Sequence, residues 1–123
     1  MIYLKKVISQ DIERTPTFNL EAIHNFFNIN ISNGISVTKI IRLKNTFEEF
    51  DVAFKHRTTR NEYRIFLKDV FHRIDPDVGD ILIITKINDD LFECEHIRQL
   101  NPRYPILSGH FNYNSNHQLI NSL

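Results

Sequence analysis

Residues 56–67 read HRTTRNEYRIFL, and their side chains are suited to gripping an anion. Arg57, Arg60 and Arg64 each offer a planar, multi-donor guanidinium that fits phosphate oxygens or the edge of a guanine. Thr58, Thr59 and Asn61 can donate to phosphates and read base edges in either sense. The pattern that follows Asn61 alternates as a strand does, which puts Arg60, Glu62 and Arg64 on one face. A loop rooted in a strand is stiff at its base and exposed at its tip, a shape able to enter a groove ~12 Å wide. A second polar stretch, Ser9 to Thr17, follows the basic strand that carries Lys5 and Lys6 and can form an opposing arm. The competing reading of residues 56–67 is a solvated turn with Glu62 and Arg64 as a same-face ion pair.

No other cluster offers comparable chemistry. The histidines at 24, 56, 72, 96, 110 and 117 are scattered, without the spacing of a zinc site, and His110 and His117 read as surface residues. A glycine-rich phosphate loop and a nucleophile elbow are both missing from a chain with three glycines. Asp11, Glu13 and Arg14 approach a nuclease carboxylate pattern but lack its lysine. Asp75, Asp77 and Asp80 could hold a divalent cation, although a solvated loop accounts for them as well. Cys94 lies between Glu93 and Glu95 in a strand-like run, where neighbouring carboxylates raise a thiol pKa and oppose reactivity. The sequence therefore predicts no catalytic site, no metal and no cofactor.

The elements that must position these groups follow from the hydrophobic pattern. Ile2–Ile8 reads as a strand, Ser9–Thr17 as a loop, and a short helix begins at Asn19 as N-cap with Leu20, Ile23 and Phe27 on one face. Ser32-Asn33-Gly34 signals a turn before a strand over 35–43. Phe50, Val52 and Phe54 alternate as a half-buried strand, as do Tyr63, Ile65 and Leu67. Residues 68–74 fit one or two helical turns. The apolar run 81–87 reads as a buried strand, joined through Asn88-Asp89-Asp90 to a hairpin partner over 91–97. The remainder reads as an irregular return. Strands in series with two short helices near its ends indicate a mostly β barrel or sandwich rather than a doubly wound α/β fold.

A chain of 123 residues with 41% hydrophobic content fits one domain, here 1–110, followed by a polar tail or linker over 111–123. The N-terminus lacks the apolar core of a signal peptide, and no run approaches the roughly 18 apolar residues needed to span a bilayer. With its single thiol the chain is expected to be cytoplasmic. The zero net charge conceals an asymmetry: residues 1–73 carry +4 and residues 74–123 carry −4. That balance argues against indiscriminate polyanion binding and permits a local basic face. A basic face could also serve a small protein-interaction module with an acidic partner.

Residues 54–67, FKHRTTRNEYRIFL, followed by VGDILII at 78–84, resemble the second DNA-contacting arm and following strands of the EcoRII-type N-terminal effector domains. These belong to the pseudobarrels shared by restriction-enzyme recognition domains and the plant B-three transcription factors. YLKKVISQD, at 3–11, is similar to the family's first strand and first arm, though ERTPT at 13–17 stands where that arm is often glycine-rich. The resemblance implies a seven-stranded open pseudobarrel that clamps duplex DNA in the major groove with two loops. Its first arm would present Lys5, Lys6, Ser9, Gln10, Asp11 and Arg14, and its second Arg57, Thr58, Thr59, Arg60, Asn61 and Arg64. Glu62 would accept from a cytosine amino group or orient Arg60 or Arg64. Lys39, Arg42 and Lys44 would add phosphate contacts from the rim. Cleavage, in this reading, belongs to a nuclease domain or subunit elsewhere.

Overall fold

The computed structural model describes residues 1–18, 20–29, 36–57, 62–112 and 114–123. Eight strands form a single curled sheet, a half-barrel, so the mostly β expectation holds with one strand more than the seven foreseen. In chain order they are β1 (Ile2–Lys6), β2 (Thr17–Phe18), β3 (Ser36–Leu43), β4 (Glu49–Arg57), β5 (Glu62–Ile65), β6 (Ile81–Lys86), β7 (Leu91–Ile97) and β8 (His117–Ile120). Their order across the sheet is β2-β5-β4-β3-β7-β6-β1-β8. Neighbours run antiparallel except β3 and β7, which pair in parallel with Ile41 opposite Phe92.

Four short helices accompany them among the described residues: α1 (Ser9–Glu13), α2 (Glu21–Phe26), α3 (Lys68–Ile74) and α4 (Tyr104–Ser108). None is long and apolar enough to cross a membrane. The main core covers one face of the sheet, where Ile23, Phe26 and Phe27 of the α2 segment and Val70 and Phe71 of α3 join Tyr3, Phe54, Ile65 and Phe92. Phe27 stands 4.8 Å from Phe54 and 5.0 Å from Phe92, ring centre to ring centre. A smaller cluster of Leu4, Ile81, Ile83 and Ile97 lies on the other face of the sheet under Leu107 of α4. Strand β6 is thus covered on both sides, which is why its sequence is a continuous apolar run rather than an alternation.

Three local expectations are corrected. The stretch Ser9–Thr17 is not a loop throughout: its first five residues form α1, because the Asp11 carboxylate accepts a hydrogen bond from the Ile8 N–H at 2.9 Å and closes the first turn. Leu20 does not join the α2 core face; it stands at the N-cap position, 48% exposed, and Phe26 takes its place inside. Asn19 and the 32–34 turn lie outside the described residues. The segment read as a tail belongs to the sheet, since β8 pairs along β1 with Tyr3 opposite Leu119 and Ile2 opposite Ile120.

His117, foreseen at the surface, is half-buried on β8, stacked on the Tyr3 ring and bonded through Nδ1 to the Tyr3 hydroxyl. Burial, and then the Lys5 ammonium, lower its pKa to about 4. The unfolded chain takes up a proton near pH 6.5 that the folded chain refuses until about pH 4. The neutral ring's contribution to stability is therefore complete above pH 6.5 and is lost as the pH falls toward 4. Thermal melts from pH 7 to 4.5 are expected to show a steeper loss for the wild type than for His117→Gln. Parallel profiles would contradict the assignment.

Candidate functional site

Ser36 is opposite Lys55, and the β4–β5 pairing extends two residues further along β4, to the Arg57–Glu62 pair. Alternation sends Phe54, Tyr63 and Ile65 into the core, so Lys55, Arg57, Glu62 and Arg64 all face the other way. The tip that this hairpin supports, Thr58, Thr59, Arg60 and Asn61, lies outside the described residues.

The first arm is joined to the same hairpin. After α1 the chain returns through Pro16 and β2, with Thr17 opposite Arg64 and Phe18 opposite Tyr63. The Ile65 N–H donates to the Pro16 carbonyl at 3.0 Å. At its root the arm is tied to the Gly79-Asp80 step: the Gly79 N–H donates to the Val7 carbonyl, and the Val7 N–H to the Asp80 carbonyl, each at 2.8 Å. Gly79 holds a φ of +97°, a conformation that a side chain would strain.

Between the arms is a cleft of about 450 Å³, lined by Gln10, Arg14, Thr15, Thr17, Arg57, Glu62 and Arg64. Residues taken from two separate stretches of sequence thus meet at one surface. Their electrostatics are unbalanced. Lys55 and Arg64 are direct cross-strand partners on the face turned from the core, an arrangement of like charges that destabilises a sheet. Among the described residues, Arg14, Lys55 and Arg64 have no carboxylate within ion-pair distance. Arg57 is held at 3.5 Å by Glu62. The surface can therefore accept an anion without first breaking internal pairs.

A larger cavity, about 670 Å³, lies at the other end of the β3–β4 hairpin beside Lys44, Arg73, His96 and Arg98. Its cations are already neutralised. Arg73 meets Glu48 at 2.7 Å, Lys44 meets Glu95 at 3.6 Å, and Arg98 meets Asp77 at 3.6 Å. Cys94 lines this cavity, but burial, aided by Glu95, pushes its thiol up to about 12. His96 Nε2 donates to Asp80 Oδ2 at 2.7 Å, and Asp80 also accepts from the Asp77 amide. Burial alone would raise the Asp80 carboxyl; the Asp77 amide, His96 and Gln99 outweigh it and hold the pKa below its usual range. The carboxylates 75, 77 and 80 do not converge, and no metal-holding group of side chains occurs among the described residues. Size therefore does not select the site; the unneutralised charge in the smaller cleft does.

Of the residues foreseen for the arms, Gln10, Arg14, Arg57, Glu62 and Arg64 share the cleft. Ser9 is exposed on α1 outside its lining, and Lys6 reaches the other way, its ammonium 5.0 Å from the centre of the Phe111 ring. Lys5 and Asp11 are corrected: they form a buried ion pair at 2.7 Å and face each other rather than a ligand. Of the rim cations only Lys39 is corrected, by burial, while the other two are already in ion pairs. Lys39 is buried against the Asp89 carbonyl and Asp90, Arg42 is paired with Glu93, and Lys44 with Glu95. Lys55, Thr15 and Thr17 went unforeseen. Lys55 was within reach of the sequence pattern, because it stands two residues before Arg57 and so shares its face.

No family model and no curated protein matches the chain. Solved structures do resemble it. The N-terminal domain of Helicobacter pylori LlaJI.R1 aligns at a TM-score of 0.71 and 22% identity, over 99% of this chain and 98% of that one. A second structure, titled Arabidopsis FUS3-DNA complex, aligns at a TM-score of 0.61 and 8% identity, over 77% of this chain and 94% of that one. At such identities the likeness is one of fold, and it agrees with the pseudobarrel fold that the resemblance of residues 54–67 leads one to expect.

Proposed function

We propose that this domain recognises duplex DNA in a sequence-specific manner. The arm from α1 to β2 and the β4–β5 arm grip the major groove between them. In this reading the domain is the recognition part of a restriction endonuclease, with cleavage carried by another domain or subunit. The observation that carries the proposal is the cleft between the arms, where Arg14 and Arg64, with Lys55 across the ladder from Arg64, have no internal counter-charge among the described residues. The likeness in fold to a protein solved in complex with DNA supports it. Phosphate contacts supply most of the affinity of such a grip, and a few contacts to base edges its selectivity. The neutral total charge, with +4 in the half that bears both arms, fits a local grip better than coating of any polyanion.

Selection from a random duplex pool tests this directly. The wild type is expected to enrich a defined motif, and Arg14→Ala to bind that motif about 1–3 kcal/mol more weakly. An unenriched pool, together with retention that does not change with salt, would sink the proposal.

A further inference from the structure

We infer that the sheet face over β4 docks a second copy of this chain, antiparallel and face to face, and that this pairing and duplex binding exclude each other. The pairing stands on the charges of β4 alone; the exclusion rests on the reading of the arms as a duplex-binding surface. Helix α4 covers the face turned from the main core over Leu4, Ile81, Ile83 and Ile97. Further along the same face, over β3 and β4, Thr38, Glu49, Asp51 and Lys55 are exposed. Alternation along β4 brings Glu49, Asp51, Ala53, Lys55 and Arg57 to this side, because Val52 and Phe54 point into the core. Read along the strand, two negative charges are followed by a neutral centre and two positive charges. Arg64, across the ladder from Lys55, extends the positive half. A solvated surface ordinarily intersperses the two signs. Here they are sorted to opposite ends of one strand.

Such an order is complementary to itself when turned round. A two-fold axis through Ala53 lays Lys55 on the partner's Asp51 and Arg57 on the partner's Glu49, and symmetry forms the reciprocal pairs. Facing sheets pack about 10 Å apart, a gap that lysine and aspartate side chains span together. The charges are available for this. Among the described residues, Glu49 and Asp51 have no cation, and Lys55 no carboxylate, within ion-pair distance. Residues 19, 30–35, 58–61 and 113 include no Asp or Glu that could neutralise Lys55. Arg57 has only its 3.5 Å contact with Glu62 to share. The centre of the patch is uncharged. Ala53 stands opposite Thr38 on β3, and its carbonyl accepts from the Phe66 N–H at 2.9 Å. Phe66 is 39% exposed between the buried Ile65 and Leu67. An aromatic near the middle with charges at the rim is the anatomy of a protein interface. The patch spans five positions of one strand and their neighbours. It belongs with the small interfaces, below about 1,200 Å², so the pairing is reversible. Lys55 and Arg64 cannot meet the partner's carboxylates and a phosphate at once.

Sedimentation equilibrium on the full chain tests the pairing through charge reversals: Asp51→Lys, Lys55→Asp, and Asp51→Lys with Lys55→Asp. The wild type is expected to form a dimer whose affinity falls as salt rises. Each single variant brings like charges together and should pair with itself about tenfold or more weakly. The two single variants, mixed, should recover a dimer, and so should the double variant with itself, because both arrangements restore opposite signs at the Asp51–Lys55 contacts. The double variant and the wild type should not pair with one another. Thermal melts check that each variant folds, and the two rescues stand apart from that check. The duplex selected by the wild type should dissociate the wild-type dimer. A wild type that is monomeric at every concentration would overturn the inference and leave this face to a different protein. Equal association of the wild type and both single variants, or rescue in neither arrangement, would overturn it as well. A dimer that obeys these charge rules in a protein that retains no duplex would uphold the pairing and remove the exclusion together with the duplex reading. A dimer that takes up duplex without dissociating would overturn the exclusion alone.

Discussion

Removing the charges of Lys55 and Arg64 together, as Lys55→Gln with Arg64→Gln, is expected to lower duplex affinity roughly 60-fold at about 0.1 M salt. The magnitude follows from counterion release. Each phosphate neutralised adds about 0.9 to the slope of log affinity against log salt, so two lost contacts reduce the slope by ~1.8. Over the one decade from about 1 M to about 0.1 M that difference amounts to roughly 60-fold. Glutamine keeps most of each aliphatic stem against the sheet, which separates the loss of charge from the loss of packing. The same variant should melt no lower than the wild type, and even slightly higher. Lys55 and Arg64 are direct cross-strand neighbours of like sign, so the folded sheet gains when they are neutralised. A variant that binds less while folding as well or better would mark these charges as kept for a ligand. A variant with an unchanged salt slope would show that the row Ser36, Lys55, Arg64 and Thr17 does not touch phosphate, and the orientation of the grip would have to be revised.

The parts of this structure that were legible in the sequence are those governed by short-range periodicity. Strands β3 to β7 appear as alternating or continuous apolar runs because each side chain's face is fixed by its neighbours two positions away. Helix α3 was legible for a similar reason, Val70 and Phe71 being buried within a short polar-flanked segment. What was not legible depends on partners distant in the chain. Strand β8 looks like a polar tail because four residues of mixed polarity carry no pattern of their own; only β1, more than a hundred residues earlier, makes them a strand. The same holds for charge. Lys39, Arg42 and Lys44 read as a basic strip, yet their carboxylate partners Asp90, Glu93 and Glu95 arrive from β7 and its hairpin through a parallel pairing that crosses half the chain. Sequence shows which side chains could meet a phosphate, but which of them are already neutralised is a property of the tertiary fold. The arm residues survive that filter because the cleft they line gathers cations of which, among the described residues, Arg57 alone meets a carboxylate, that of Glu62.

Lys5 and Asp11 illustrate the opposite fate and carry the largest expected effect on stability. Both side chains are all but excluded from solvent, at 3% and 2% exposure, with Nζ and Oδ2 2.7 Å apart. Burial lowers the pKa of the Lys5 ammonium and Asp11 opposes that shift. Each makes one further hydrogen bond: Nζ donates to the Lys6 carbonyl at 2.9 Å, and Oδ2 accepts from the Ile8 amide that opens α1. The pair thus pins the first arm to the strand from which it springs. Asp11→Ala strands an ammonium in the interior and frees the α1 N-terminus, and it is expected to cost about 3–5 kcal/mol in urea denaturation. For a domain whose whole stability is of the order of 5–15 kcal/mol, that loss brings the folded state close to its limit. The double variant Lys5→Met with Asp11→Leu removes both charges while filling the space, and it should recover most of the loss, because an apolar pair of similar volume needs no solvation to be replaced. The arm discriminates between anchoring and mere packing. If the ion pair positions α1, the double variant will fold nearly as well as the wild type yet bind duplex more weakly, since the Ile8 amide has lost its acceptor and Gln10 and Arg14 are no longer held at the cleft. If the double variant matches the wild type in both stability and binding, hydrophobic contact alone sets the arm, and the buried charges have no part in its placement.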